Sequence, residues 1–339
     1  MTRARLEWAD VDAARERIRG IAAVTPTVKS ALSDAMGHPL WLKLETLQPT
    51  GAFKVRGAVN AIARLTPEQR AAGVVCCSTG NHGRAVAFAA QRLGIEATVC
   101  LSELVPDNKV EAIETLGARV VRAGNSQDDA QREADRLSAE QGLVDIPPFD
   151  HADIIAGQGT VGLELLEDHA ELTSILVPLS GGGLISGVAV AAKSINPGIR
   201  VVGISMDRGA AMAASLTAGL PVDVTESESL ADSLGGGIGL HNRYTFELVR
   251  DLVDDLVLVT EDEIYRAMRT LFLTERLVVE GAAAVGHAAL LAGRITLDGP
   301  GAVIVTGNNV DMSRFSDIVA GRGVRLGHCL VKGGGIADE

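Results

Sequence analysis

Four short stretches hold the residues able to do chemistry. The first is Thr50-Gly51-Ala52-Phe53-Lys54-Val55-Arg56-Gly57-Ala58. Gly51 permits unusual backbone angles. Val55, Ala58, Val59, Ile62 and Leu65 then recur at helical spacing. Lys54 therefore stands at a helix entrance, beside the positive end of the helix dipole. An amine in that position is pressed to lose its proton, and a neutral amine is a nucleophile. The plain alternative is a solvated surface lysine, the common state of that residue.

The other three stretches are polar loops, each after an apolar strand. Ligands of open α/β sheets bind beyond such strand ends. Ser180-Gly181-Gly182-Gly183-Leu184 offers backbone amides and a helix start to an anion, or is only a tight turn. The spacing Gly-x-Gly-x-x-Gly fails, because Ser186 takes the last position counted from Gly181. Asp207, after the next strand, keeps a dinucleotide reading open. Ser78-Thr79-Gly80-Asn81-His82-Gly83 suits a carboxylate and a ring hydroxyl oxygen; a bare N-cap is the alternative. His82 reads as a structural side chain or backbone donor more than as a base. Thr306-Gly307-Asn308-Asn309 places a hydroxyl at a strand end, or makes an ordinary turn.

The elements that must position these loops alternate. Strands are expected at 40–45, 73–77, 97–101, 119–122, 174–179, 200–205 and 302–305. Helices are expected over 10–21, 55–65, 84–93, 107–116, 127–141, 152–167, 260–274 and 280–292. The rhythm predicts parallel strands with helices on both faces, and it breaks at Ile146-Pro147-Pro148-Phe149-Asp150. The length, 339 residues, suggests two domains. A net charge of −12 and 3% aromatics argue against a nucleic-acid partner. An anionic ligand must then be held by local amides and dipoles. Cys76, Cys77, Cys100 and Cys329 form no C-x-x-C pair, which weakens zinc and redox readings. The charged start of the chain and the lack of a long apolar run predict a cytoplasmic protein with no membrane contact.

Taken together, these stretches resemble the fold-type II pyridoxal-phosphate enzymes, the serine/threonine dehydratases and serine racemases. Ile238-Gly239-Leu240, Thr260-Glu261-Asp262-Glu263-Ile264, and Glu280 followed by Gly281-Ala282-Ala283-Ala284-Val285-Gly286 share the likeness. It runs through nearly the whole chain and is strongest toward dehydratases associated with hydroxyectoine utilisation. The fold it implies is α/β and tryptophan synthase β-subunit-like: two open parallel-sheet domains with the active site in the cleft. Residues 1–65 plus 151–322 would form the large cofactor-binding domain, 66–150 the small substrate-closing one, and 323–339 a loose tail. A homodimer is also implied.

The resemblance assigns roles. The cofactor is pyridoxal 5'-phosphate, with Lys54 as its Schiff-base lysine and general base. Phe53 flanks the ring, Asn81 meets its 3-hydroxyl, and Thr306 faces its nitrogen. Ser180, Gly181, Gly182, Gly183 and Leu184 hold the phosphate. Ser78, Thr79, Asn81 and His82 bind the substrate carboxylate. The implied reaction removes the β-hydroxyl of a small 3-hydroxy amino acid, leaving a keto acid and ammonia.

The chain also departs from the pattern. Ser180 replaces the first glycine of the usual quartet. Thr79 stands where racemases carry the serine that reprotonates the opposite face, and its methyl favours dehydration over racemisation. Ser205 stands where many relatives place a cation-binding glutamate, so no metal is expected. No long C-terminal regulatory domain is expected either, which points to a catabolic role. The alternatives are a racemase on the same scaffold, a nicotinamide-dependent oxidoreductase built on the glycine loop and Asp207, and a non-enzymatic binding protein. A cyclic amidine offers no primary amine. A hydroxyectoine-derived substrate would therefore be a ring-opened hydroxy-diamino acid.

Overall fold

The structure is a computed structural model that describes residues 6–334 except 106. Twelve strands are present among the described residues: β1 (Thr27–Lys29), β2 (Leu40–Leu44), β3 (Val74–Cys77), β4 (Ala97–Leu101), β5 (Arg119–Arg122), β6 (Val144–Asp145), β7 (Ser174–Pro178), β8 (Arg200–Met206), β9 (Asp255–Val259), β10 (Gly301–Val305), β11 (Val324–Leu326) and β12 (Cys329–Val331). A six-stranded sheet runs in the order β1-β2-β10-β7-β8-β9, antiparallel only at the β1–β2 edge. A four-stranded, all-parallel sheet runs β5-β4-β3-β6. The central strands are buried along their whole length, as near-continuous apolar runs covered on both faces require.

The order of the large sheet matters for the site. β2 lies beside β10, so the segment after Leu44 and the segment after Val305 leave the sheet side by side. The next strand over is β7, which runs into the glycine loop.

The lysine helix (Lys54–Ala63) packs between helix Asn81–Leu93 and helix Ala152–Asp168. Its Val55, Ala58, Val59 and Ile62 share one cluster with Val74, Cys76, Ala85 and Ala89 of the smaller sheet's layer. A boundary at residue 65 therefore cuts through a shared core.

Arg56, two residues past Lys54, is fully buried. Its guanidinium grips Glu45 at 2.8 Å through two nitrogens and Glu164 at 2.6 and 2.8 Å. Lys43 adds a 2.7 Å ion pair to Glu164 and donates to the Thr25 carbonyl at 2.6 Å. Two cations and two carboxylates thus cancel inside the protein, with every charge partnered, as burial demands. Burial works against ionisation of Glu45, but the Arg56 guanidinium, the Thr25 hydroxyl and the Lys43 charge together hold that carboxyl below the usual range.

Two expectations change. The end of the chain is not loose over 324–331. β11 and β12 form an antiparallel hairpin whose Val324, Leu326 and Val331 are buried in the main core. Alternation of apolar and polar residues in Val324-Arg325-Leu326 is the local reason. Residues 335–339, the rest of that segment, lie outside the described residues. Strands β1 and β9, which the strand reading leaves out, are the two edges of the large sheet. Both are partly exposed, so their apolar signal is weak. No helix among the described residues is long and apolar enough to cross a membrane.

Candidate active site

Lys54 opens its helix directly after Phe53, and three backbone links fix that entrance. The Phe53 N–H donates to the Thr306 carbonyl at 3.0 Å, the Asn308 N–H donates to the Gly51 carbonyl at 2.9 Å, and Ala52 bridges Gly307. The lysine turn and the Thr306 loop are therefore one unit, made from the adjacent ends of β2 and β10. Thr306 is 2% exposed.

The Lys54 ammonium donates to the Pro148 carbonyl at 2.7 Å and sits 5.4 Å from the centre of the Phe53 ring. Burial pushes its pKa down to about 8, partly opposed by the charge of Glu280. Desolvation is thus the main cause, ahead of the helix dipole that the local sequence suggests. Lys43 is buried as well, in direct contact with the Glu164 carboxylate.

The glycine loop follows β7 and starts helix Gly183–Ile195 with no side-chain cap. The first N–H groups of that helix are therefore free to meet an anion. Gly182 has φ +89, a left-handed angle that favours glycine. A Cβ on Gly181 would collide with the Phe149 ring, and one on Gly183 would lie 3.0 Å from Phe149. The glycines are thus required by the packing of Phe149 as well as by the turn. Pro148 and Phe149 belong to the crossover between the two sheets, and they touch both Lys54 and the glycine loop. The Pro-Pro pair was the only local signal for this role.

The third loop opens helix Asn81–Leu93. Ser78 and Thr79 are partly exposed at its mouth. The buried His82 ring donates from Nε2 to the Ile146 carbonyl at 2.7 Å. Burial, with the nearby Lys54 charge, pushes its pKa down to about 3, so the ring is neutral and ties the loop to the crossover. The side chain of His82 therefore faces the crossover backbone. Asn81 donates to both carboxylate oxygens of Glu280, at 2.9 and 3.1 Å, and accepts from Asn309 at 2.7 Å.

Glu280 is the residue that motif reading left outside the site. It precedes helix Gly281–Leu291, is 5% exposed, and its N–H donates to the Gly307 carbonyl at 3.1 Å. Burial pushes its carboxyl up to about 7, opposed by hydrogen bonds from Asn81, Ser233 and the Asn309 backbone. The result is an amine, a carboxylate, an amide and an uncapped helix start converging from both sheets. Two hollows of about 380 and 580 Å³ beside Trp8 hold none of these groups.

An amine of this kind can condense with a carbonyl compound, and an uncapped helix start can hold an anion. The comparisons agree with that chemistry. Residues 18–307 match the family described as pyridoxal-phosphate dependent enzyme. The chain is 52% identical over 318 residues to a Sinorhizobium fredii protein named among the threonine dehydratases, covering 93% of this chain and 96% of that one. It is 39% identical over 313 residues to the catabolic L-threonine dehydratase of Escherichia coli K12, covering 91% and 94%. Maize serine racemase superposes with a TM-score of 0.87 at 37% identity, over 93% of this chain and 97% of that one. The chain belongs to the pyridoxal-phosphate dependent enzymes, with the fold-type II architecture of these relatives.

Proposed function

We propose that this chain is an ammonia-lyase that eliminates the β-hydroxyl of a small 3-hydroxy amino acid, threonine or serine first. The observation that carries the reading is the Lys54 amine, drawn down to about 8 at the meeting point of the two sheets. Pyridoxal phosphate, when bound, supplies the electron sink that lets negative charge form at the substrate Cα.

The residues present fit that group. Lys54 would supply the amine that holds it, with Phe53 beside the ring, Asn81 as the partner of the 3-oxygen and Thr306 as that of the ring nitrogen. Ser180, Gly181, Gly182, Gly183 and Leu184 supply the uncapped helix start for the phosphate. Ser78, Thr79 and the start of helix Asn81–Leu93 take the substrate carboxylate, with His82 anchoring that loop. Once freed, the Lys54 Nζ takes the Cα proton as general base. Thr306 is neutral, so it cannot hold the ring nitrogen protonated as a carboxylate would. That favours prompt loss of a β leaving group over transamination. The methyl of Thr79 hinders reprotonation from the opposite face, which favours dehydration over racemisation. A ring-opened hydroxy-diamino acid from hydroxyectoine belongs to this reading on the sequence resemblance.

The test is release of keto acid and ammonia from serine, threonine, 3-hydroxyaspartate and the ring-opened compound side by side. Turnover of threonine or serine to keto acid is expected. Rapid formation of D-amino acid without keto acid, read by chiral chromatography, would overturn the proposal.

A second expectation concerns pH. Only the neutral Lys54 amine attacks, and its neutral fraction falls about tenfold per pH unit below its pKa. Uptake of cofactor by the apoenzyme should therefore speed up as pH rises toward about 8 and level off above it. Stopped-flow absorbance reads this directly. A rate that stays flat between about pH 6 and pH 8 would show that Lys54 is not the attacking group.

A further inference from the structure

A chain of side-chain hydrogen bonds crosses the site from one lobe to the other, and its sense is set at both ends. Arg84 lies one turn past Asn81 on the same helix. Its guanidinium donates to Asn309 Oδ1 at 2.6 Å. Asn309 Nδ2 donates to the Thr50 carbonyl at 2.8 Å and to Asn81 Oδ1 at 2.7 Å. Asn81 Nδ2 donates to Glu280.

An amide can in principle sit either way round. Here it cannot. A guanidinium only donates, whereas a backbone carbonyl and an ionised carboxylate only accept. Arg84 and Thr50 therefore fix Asn309, Asn309 fixes the Asn81 oxygen, and Glu280 fixes the Asn81 nitrogen. The packing is tight as well. Gly51 leaves room for the Asn309 amide, whose Oδ1 and Nδ2 would lie 3.1 and 3.3 Å from any Cβ there.

We infer that Arg84, Asn309 and Glu280 act as positioning residues that hold Asn81 as a hydrogen-bond donor, so that the site selects a ring carrying an anionic 3-oxygen. The inference rests on the proposed placement of Asn81 against that oxygen. Asn81 Nδ2 has two hydrogens, and the Glu280 carboxylate takes one direction. The other N–H is left for the ligand, whereas a reversed amide would present an oxygen and repel a phenolate.

The test is ligand binding by apoenzyme. Affinities for pyridoxal 5'-phosphate and for its 3-deoxy analogue are compared at about pH 8, above the value of about 7 for Glu280. Both ligands condense with Lys54, so effects on the lysine cancel in the ratio. The native protein should prefer the natural cofactor by about tenfold or more, the worth of one charge-assisted hydrogen bond.

The double variant Asn309→Asp with Glu280→Gln keeps shape and net charge, reverses the chain from Asn81 onward and leaves the Thr50 carbonyl without its donor. The carboxylate introduced by the first change must accept from Asn81, and the amide introduced by the second can donate to it. The preference of this variant should fall by about tenfold. Glu280→Gln alone still offers a carbonyl to Asn81 and should keep the native ratio within about twofold. If the double variant does not fold, Asn309→Asp alone reads the same step, with at least about a threefold fall. A native ratio in the double variant, or in Asn309→Asp where that stands in, overturns the inference. Asn81→Ala separates the two layers. If it leaves the ratio unchanged, Asn81 does not face the 3-oxygen, and the proposed placement fails. If it lowers the ratio while the reversed variant does not, only the polarity inference fails.

Discussion

Lys54→Ala is expected to abolish the visible absorbance of bound cofactor and to lower turnover by on the order of 10⁴-fold or more. On the proposed function, the variant removes both the covalent anchor and the base that takes the Cα proton. The protein has another buried lysine nearby, but Lys43 cannot take over. Its Nζ is engaged by Glu164 and by the Thr25 carbonyl, within the Arg56 cluster. Lys54, in contrast, has a neutral carbonyl as its hydrogen-bond partner. Lys54→Arg is the useful companion. It keeps a cation at the helix entrance and should fold, yet a guanidinium does not deprotonate to a nucleophile. It should be as inactive as the alanine variant. Retention of the absorbance band and of full turnover in Lys54→Ala would sink the assignment.

Arg56→Met is expected to destabilise the fold by about 3–5 kcal/mol. The side chain is of similar bulk, so the loss is electrostatic. Without the guanidinium, Glu45 and Glu164 are left buried against the single charge of Lys43. The sign of the pH dependence is specific. Glu45 has its folded pKa held below the ordinary 4.5, so its contribution is present above that value and lost as pH falls through the folded one. In the variant, burial is opposed only by the Thr25 hydrogen bond and the Lys43 charge, and it pushes the same carboxyl up. The stability gap between the two proteins should therefore begin to narrow above the ordinary value of 4.5, where the variant's carboxyl takes up its proton, and go on narrowing until the native Glu45 is protonated. Urea unfolding at neutral and acidic pH measures both effects. A loss of under about 1 kcal/mol at neutral pH would mean that the cluster behaves like a solvated surface pair.

Arg56 also shows why part of the site was hidden. In the sequence it is one more polar residue on an amphipathic helix that follows a glycine turn. Its burial depends on Glu45 at the end of β2 and on Glu164, 108 residues further along the chain. Glu280 was hidden for the same reason. Its partner Asn81 is 199 residues away, and Asn81 meets Asn309 across 228. Nothing within a short window reports such pairings. The role of Phe149 was equally invisible, since it follows from a crossover that passes over Lys54 and leaves no space for a side chain at Gly181.

Everything that a few neighbouring residues can encode was legible before the fold was known. Apolar runs of strand length, helical spacing after Lys54, and glycine at left-handed turns depend on backbone sterics and on burial of one face. Those forces act within a single element, so the order of the central strands with their loops and helices was legible, as was the placement of Lys54 at a helix entrance, whereas the edge strands β1 and β9 and the β11–β12 hairpin were not. The tertiary structure alone decided which strand ends stand together. Setting β10 between β2 and β7 brings the lysine turn, the Thr306 loop and the glycine loop to one edge. That order is set by packing of helices on both faces of the sheet, a sum over the whole chain. It turns an ordinary lysine into an amine with a pKa of about 8.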